Sequence, residues 1–311
     1  MGKLAFLFPG QGSQAVGMAA ELRPTDAAAL DENLSAADEH SGHPVSRYVD
    51  EGPMEDLTRT DVAQPALFAL SLTLAEVARD CGLHADLVSG HSLGEYTAAA
   101  VGGALRPGDG MRLVCERGRL MAEVQEQSPG AMAAVGGVDE AGLVELCARA
   151  ADGQALGLAN LNSPRQLVVS GEVAAVEKLL ELVAAREGAR GMRLPVGAAF
   201  HSSLMRPVRD ALESSLSEIE IAAPEVPLAA NHSGAIVDDA DGVRAALLEQ
   251  IASPVRFADC VSSLVDAGCT SFLELGPGRV LTGLVRQVAG REVHAASADS
   301  RAKVEAFAEA L

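Results

Sequence analysis

The 311-residue chain lacks the patterns that mark several classes of protein. Its five cysteines form no CxxC pair and its seven histidines form no HExxH motif, so the sequence predicts reduced thiols and no metal site. The net charge of -19 disfavours a nucleic-acid partner, because the phosphates would be repelled. No apolar run approaches the length of a membrane span, and Pro9 ends the first apolar stretch too early for a signal peptide. These absences predict a cytoplasmic protein without a membrane segment.

An acidic partner remains compatible with this charge if the surface carries a local basic patch. A scatter of solvated arginines explains the same residues equally well. The candidate residues are Arg186, Arg190, Arg193, Arg206 and Arg209.

Short apolar runs alternate with longer helical patterns, which is typical of a parallel sheet flanked by helices. Residues 131–196 break this alternation with the order strand, helix, strand, strand, helix, strand, the βαββαβ unit of ferredoxin-like folds. We therefore expect a small domain at 129–197, inserted into a larger body formed by 1–128 and 198–311, with a ligand cleft between them. Along the chain, strands are predicted at 4–8, 87–89, 194–196, 228–230 and 271–275, and helices at 64–81, 95–102, 109–127, 204–216 and 242–251. The last strand of the small domain is predicted at 190–196.

The segment Val88-Ser89-Gly90-His91-Ser92-Leu93-Gly94-Glu95 has the Gly-x-Ser-x-Gly pattern of a nucleophile elbow. It lies between a predicted strand and a predicted helix, as that turn requires. The flanking glycines remove Cβ atoms that would clash, and the helix N-terminus offers N–H groups to a developing negative charge. An ordinary serine in a strand-to-helix connection is the alternative, but the context favours Ser92 as a nucleophile.

A serine nucleophile needs a base within hydrogen-bonding reach. His201 is the first candidate, because its loop follows a predicted strand, precedes a predicted helix and would face the cleft. His232, in an Asn-His-Ser-Gly turn, stays a second candidate. Four other histidines have polar or turn-like surroundings and are predicted to lie at the surface: His40, His43, His84 and His294.

The glycine-rich turn after the first strand, residues 8–14, is a candidate for part of an oxyanion hole, because a backbone N–H exposed there would be available to an oxyanion. It lacks the third glycine and the distal acid of a dinucleotide-binding fingerprint.

Arg117 occupies the apolar stripe of its predicted helix, three or four residues from Leu113, Val114, Leu120 and Met121. An inward guanidinium is unfavourable unless an anion meets it, and its planar fork suits a carboxylate. From the pattern alone, a substrate carboxylate and a buried structural acid are equally good partners.

These features together resemble the malonyl-CoA:acyl-carrier-protein transacylases, which include enzymes of fatty-acid synthesis and acyltransferases of polyketide synthases. The resemblance covers essentially the whole chain. It implies an α/β-hydrolase-like body that carries a ferredoxin-like subdomain, in agreement with the order of elements. The matching segments are Gly10-Gln11-Gly12-Ser13-Gln14, Gln64-Pro65-Ala66-Leu67-Phe68, Gly90-His91-Ser92-Leu93-Gly94-Glu95, the helix of Arg117, Asn162-Ser163-Pro164-Arg165-Gln166, Phe200-His201-Ser202, Gln250 before Pro254-Val255-Arg256-Phe257, and Leu275-Gly276-Pro277-Gly278.

The resemblance implies a ping-pong transfer with no bound cofactor. Ser92 would attack the thioester of malonyl-CoA with His201 as base, and the phosphopantetheine thiol of an acyl carrier protein would then take the malonyl group. The N–H groups of Gln11 and Leu93 would hold the oxyanion. The main-chain carbonyl of Gln250, rather than a carboxylate, would orient the histidine.

The same resemblance assigns the binding of substrate. Arg117 would hold the malonyl carboxylate, with His91 and Phe200 also beside the acyl group. A monomer is the usual state in the family.

Specificity in the family depends on the residues after the serine and before the histidine. Leu93 and Phe200 match the malonyl-type pattern, and Phe200 should leave little room for an extra methyl group. One methylene is worth about 1–3 kcal/mol, so methylmalonyl should be rejected only in part. Ala198 replaces a histidine that is common in malonyl-type polyketide acyltransferases, and the serine found at position 200 in many fatty-acid enzymes is missing. This mixture favours a stand-alone acyltransferase of polyketide synthesis, and a substituted malonyl unit is the alternative substrate.

Two other classes of function compete with transfer. A serine esterase or thioesterase would place its histidine late in the chain, after an acid, and His294 is the only late candidate. A non-catalytic binding module is disfavoured because Ser92, His201 and Arg117 are all present.

Overall fold

The computed structural model describes residues 2–311, in which ten strands form two sheets. The strands are β1 (Lys3–Phe8), β2 (Leu87–Gly90), β3 (Gly130–Gly136), β4 (Leu156–Ser163), β5 (Gln166–Glu172), β6 (Arg190–Arg193), β7 (Leu228–Ala229), β8 (Ile236–Val237), β9 (Cys269–Leu275) and β10 (His294–Ala298). The helices are α1 (Arg23–Ser41), α2 (Val45–Glu51), α3 (Met54–Thr58), α4 (Thr60–Asp80), α5 (Leu93–Val101), α6 (Pro107–Gln127), α7 (Glu140–Ala151), α8 (Val173–Ala184), α9 (Arg206–Ser217), α10 (Ala240–Glu249), α11 (Phe257–Asp266), α12 (Val280–Val288) and α13 (Arg301–Ala310).

The larger sheet has the order β10-β9-β1-β2-β7-β8. Its first five strands are parallel, and only the short edge strand β8 runs antiparallel to its neighbour. The central strand β1 is buried from Leu4 to Phe8 without alternation, as expected for a strand whose two faces are both covered by helices. The predicted α/β body is confirmed, with one antiparallel edge strand that the sequence did not predict.

The register of the central strands determines where the loops meet. Strands β1 and β2 pair in parallel with Phe8 opposite Gly90, so the turns that follow them leave the same edge of the sheet side by side. Ligand sites in open parallel sheets form at this carboxyl edge. The glycine-rich turn and the Ser92 elbow therefore lie next to each other.

The smaller sheet has the order β4-β5-β3-β6 and is antiparallel throughout. Helices α7 and α8 bury their apolar stripes against it, with Leu143 and Leu179 fully buried in this second core. The ferredoxin-like βαββαβ order is confirmed. The boundaries at 129 and 197 stay a prediction about the folding unit.

The last strand of the small sheet is shorter than expected. The sequence predicts a strand over 190–196, but β6 ends at Arg193 and the predicted strand at 194–196 is wrong. Leu194 still donates its N–H to the Met132 carbonyl, after which Pro195 has no N–H to continue the ladder. The segment 194–196 instead contributes to the wall of a cavity.

Helix α4 is the one helix in residues 2–311 that is long and apolar enough to cross a membrane, with 21 residues and a mean hydropathy of 1.2 in its most apolar stretch. Of that stretch, 89% is buried inside the protein, where α4 contacts α1 and α6. Its length and apolar composition are those of a core helix.

Candidate active site

Ser92 occupies a strained turn between β2 and α5. Its backbone has φ 54° and ψ -106°, a conformation that non-glycine residues rarely adopt and that costs about 1–3 kcal/mol. The turn depends on the neighbouring glycines: a Cβ on Gly90 would lie 1.9 Å from the Gly94 carbonyl carbon, and a Cβ on Gly94 would lie 1.9 Å from the Phe8 carbonyl oxygen. The elbow is therefore packed directly against the end of β1.

His201 lies at hydrogen-bonding distance from the Ser92 hydroxyl. Its Nε2 is 2.8 Å from Ser92 Oγ, and its Nδ1 is 2.7 Å from the carbonyl oxygen of Gln250. Because a carbonyl can only accept, Nδ1 carries the proton and Nε2 is free to accept the serine proton. Burial, reinforced by the positive charge of Arg117, lowers the pKa of His201 to about 3, so the imidazole is neutral at neutral pH.

Arg117 is buried on α6, with 2% of its surface exposed. Its guanidinium donates to Gln64 Oε1 at 2.6 Å, to Ser92 Oγ at 2.9 Å and to Gln250 Oε1 at 3.0 Å, and its Nε has no hydrogen-bond partner. Its Cζ lies 5.3 Å from the ring centroid of Tyr96. Within residues 2–311 no carboxylate forms a salt bridge with Arg117. Burial lowers the pKa of this guanidinium, which remains a buried cation bonded only to neutral acceptors.

The two predicted oxyanion donors lie on adjacent loops. Leu93 is the first residue of α5, so its N–H is among those that a helix leaves without an internal partner. Gln11 follows β1 in the glycine-rich turn, where a Cβ on Gly10 would come within 2.3 Å of the His91 carbonyl oxygen. This close approach brings the Gln11 turn against the elbow.

His91 and Phe200 both line the same cavity as the serine. His91 Nε2 is 2.7 Å from Asn162 Oδ1 of the small sheet, and its ring lies 5.5 Å from that of Phe257. Burial lowers the pKa of His91, so the ring is neutral. Phe200 is 8% exposed, directly before the histidine of the dyad.

The cavity has a volume of about 490 Å³ and lies between the two sheets. Ser92, His201 and Arg117 line it from the large body, whereas Met132 and Asn160 line it from the small sheet. A polar, cationic end faces an apolar wall, as expected for a site that takes a small acyl group bearing a charge.

Comparisons with known proteins agree with this arrangement. The family model described as acyl transferase domain matches residues 5–304. The malonyl CoA-acyl carrier protein transacylase of Bacillus subtilis is 40% identical over 289 residues, which cover 93% of this chain and 91% of that protein. This chain belongs to the malonyl-CoA:acyl-carrier-protein transacylase family.

Solved structures of transacylases share the fold. The malonyl-CoA:acyl carrier protein transacylase of Xanthomonas oryzae has a TM-score of 0.94 at 37% identity, over 100% of this chain and 98% of that one. A malonyl-transacylase in complex with its type II polyketide carrier protein has a TM-score of 0.94 at 35% identity, over 99% of this chain and 100% of that one. The family and fold expected from the motifs are thereby confirmed.

Three polar residues of this transacylase site were not assigned from the sequence. Gln64 lies within a segment that carries the resemblance, but its bond to Arg117 was not foreseen. Asn231 and Glu95 bond to the backbone and side chains around Ser92. The side chain of Gln250 also takes part, because its Nε2 donates to the Ser92 carbonyl oxygen at 2.8 Å.

The histidines outside the cavity lie away from the dyad. His294 is exposed on β10 and stacks on Phe307 at 4.8 Å, so the late histidine that an esterase would need is not at Ser92. His232 is half-buried and does not line the cavity. His43 lies 2.9 Å from Asp61.

Two of the five candidate arginines of a basic patch are paired with acids. Arg193 lies 3.0 Å from Glu177, and Arg209 lies 2.7 Å from Glu249. Surface pairs of this kind favour the interpretation of solvated, compensated arginines for these two positions.

Proposed function

We propose that the protein transfers a malonyl group from malonyl-CoA to the phosphopantetheine thiol of an acyl carrier protein, through an acyl intermediate on Ser92. The observation that carries this proposal is the guanidinium of Arg117. It is a buried cation that bonds to the nucleophile itself, at 2.9 Å, and it has an unpartnered Nε. A site built for an uncharged acyl group would have no use for such a cation.

The first half-reaction loads the enzyme. Ser92 Oγ attacks the thioester carbonyl of malonyl-CoA while His201 Nε2 takes its proton. The N–H groups of Gln11 and Leu93 stabilise the oxyanion of the tetrahedral intermediate. The intermediate collapses, the carbon–sulfur bond breaks, and His201 returns the proton to the departing CoA thiolate.

The second half-reaction reverses the roles. His201 takes a proton from the carrier thiol, whose sulfur attacks the malonyl ester on Ser92. The ester oxygen leaves and recovers the proton from His201. The Gln250 carbonyl holds Nδ1–H throughout and so keeps Nε2 directed at Oγ.

The spacing of Arg117 and Ser92 suits malonate. Two carbon–carbon bonds separate the carbonyl carbon from the carboxylate carbon, a span of about 2.5 Å. An arginine nitrogen already within hydrogen-bonding distance of Oγ can therefore hold the carboxylate while Oγ attacks the carbonyl. Phe200 in the cavity wall supports malonyl over substituted units, with partial rejection of one methyl group, worth about 1–3 kcal/mol.

The test is intact-protein mass spectrometry after mixing the protein with malonyl-, methylmalonyl-, ethylmalonyl- or acetyl-CoA. We expect a malonyl adduct that Ser92→Ala abolishes and that disappears when a phosphopantetheinylated carrier protein is added, with the malonyl group recovered on the carrier. A preferred substituted malonyl adduct would keep the mechanism and overturn the role of Phe200. No adduct with any of these thioesters would refute the proposed function.

A further inference from the structure

The carboxyl of Glu95 is fully buried behind the elbow and does not line the cavity. One oxygen accepts the Asn231 backbone N–H at 2.6 Å, and the other accepts Gln250 Nε2 at 2.9 Å. Both neighbours are N–H donors, so the carboxylate form satisfies both oxygens. Burial raises the pKa of Glu95, whereas the two N–H donors and the charge of Arg117 lower it and favour the carboxylate.

The two residues that bond to Glu95 hold the peptide groups around the nucleophile. Asn231 Oδ1 accepts the Ser92 N–H at 2.7 Å, and its Nδ2 donates to the Gly90 carbonyl at 2.7 Å. Gln250 Nε2 donates to the Ser92 carbonyl at 2.8 Å. The strained backbone of Ser92 is thus fixed on both sides by residues that Glu95 holds in place.

Glu95 also determines which way the Gln250 amide points. A carboxylate only accepts hydrogen bonds, so it selects the Gln250 Nε2 group and leaves Oε1 facing Arg117, at 3.0 Å. The reverse orientation would place an NH₂ group against a guanidinium. The direction of the Arg117 guanidinium is therefore set by a side chain that does not line the cavity and that hydrogen-bonds to neither Ser92 Oγ nor His201.

We propose that Glu95 is a positioning residue that orients the Arg117 clamp through the Gln250 amide and the Ser92 elbow through Asn231. This inference rests on the proposed function, because it concerns malonyl recognition at the same site. Its two branches separate in kinetics. The Gln250 branch changes the choice between malonyl and acetyl groups as well as the rate, whereas the Asn231 branch changes only the rate, and does so for any acyl group.

The test compares malonyl and acetyl loading in Glu95→Gln, Glu95→Asp and Asn231→Ala. In Glu95→Gln the new side-chain NH₂ group must face one of the N–H donors that Glu95 accepts in the wild type. The Gln250 amide can turn to relieve this clash, but its NH₂ group then faces Arg117 and disorders the guanidinium. We expect the malonyl-to-acetyl ratio of kcat/KM to fall about tenfold or more, the effect of one hydrogen bond to a charged group. Glu95→Asp keeps the carboxylate and should recover part of the ratio. Asn231→Ala should slow both acyl groups and leave the ratio unchanged.

Glu274→Gln is the matched control. Glu274 is equally buried and accepts the N–H groups of Leu281 and Thr282 at 3.1 and 2.8 Å, outside the cavity. The Glu274→Gln variant should lose thermal stability and keep the wild-type malonyl-to-acetyl ratio of kcat/KM. The inference is overturned if Glu95→Gln has the wild-type ratio, or if the ratio falls equally in Glu274→Gln. If Glu95→Gln does not fold, a wild-type ratio in Glu95→Asp together with unchanged rates in Asn231→Ala overturns it. A wild-type protein that forms no malonyl adduct refutes the proposed function instead.

Discussion

Replacing Arg117 with alanine should reverse the preference of the site from malonyl to acetyl. The carboxylate would lose two hydrogen bonds to a buried cation, each worth about 1.5–3 kcal/mol, or about 3–6 kcal/mol together. This corresponds to a loss of about a hundred- to ten-thousandfold in kcat/KM for malonyl-CoA. Acetyl-CoA, which leaves the guanidinium without a counter-ion in the wild type, should load up to about tenfold faster, because that penalty of about 1–2 kcal/mol disappears.

The assay is a competition of malonyl-CoA and acetyl-CoA for the enzyme, followed by intact mass. Arg119→Ala is the control, because Arg119 lies on the same helix with its side chain 52% exposed and paired with Glu116 and Glu123. It should leave the ratio of adducts unchanged. Continued preference for malonyl in Arg117→Ala would refute the assignment of the carboxylate site, and equal effects of the two arginines would indicate bulk electrostatics rather than a clamp.

Two further predictions follow from burial and packing. The pKa of His201 is lowered to about 3, so its neutral form persists as the pH falls, and kcat/KM for malonyl loading should show no acidic limb near the ordinary histidine value of about 6.5. In Arg117→Ala the loss of the positive charge should raise the pKa of His201 and move the acidic limb to higher pH, which can be measured with acetyl-CoA. An acidic limb near pH 6.5 in the wild type would contradict the argument that burial lowers this pKa. Gly94→Ala should destabilise the fold by about 1–3 kcal/mol or more in chemical denaturation, because the new Cβ would meet the Phe8 carbonyl at 1.9 Å. Gly157→Ala, with nothing within 4 Å of its Cβ, should leave the stability nearly unchanged, and equal losses in both would argue against the steric cause.

The central strands and helices follow from the sequence because their signal is local. Strand β1 is a continuous apolar run from Leu4 to Phe8, and β9 is apolar at Phe272, Leu273 and Leu275. Helices α4 and α6 have long apolar faces, so the predicted bounds of all four elements differ from the observed ones by a few residues. Helix α1 gave no such signal. Of its 19 residues only Leu30, Leu34 and Ala37 are buried, a narrow stripe among alanines and acids. The C-terminal strand β10 is composed of His, Ala and Ser, which carry little strand preference.

In the site, too, the features encoded locally in the sequence could be predicted, whereas the contacts between distant residues could not. The Ser92 elbow is encoded in five consecutive residues, and the helical position of Arg117 shows that it points inward. The partners of these residues are distant in sequence: Gln64 is 53 positions from Arg117, Asn231 is 139 from Ser92, and Gln250 is 155 from Glu95. No periodicity links such pairs, so only the folded chain reveals which buried amide meets which charge.

Gln250 explains why acyl recognition and nucleophilic attack are joined in one site. Its backbone carbonyl holds His201, its Oε1 holds Arg117, and its Nε2 holds the carbonyl of Ser92. A guanidinium that turned away from the carboxylate would release Oε1 and so loosen the amide that fixes the serine. Because base, nucleophile and cation share this residue in a buried network, the contributions of the three cannot be additive.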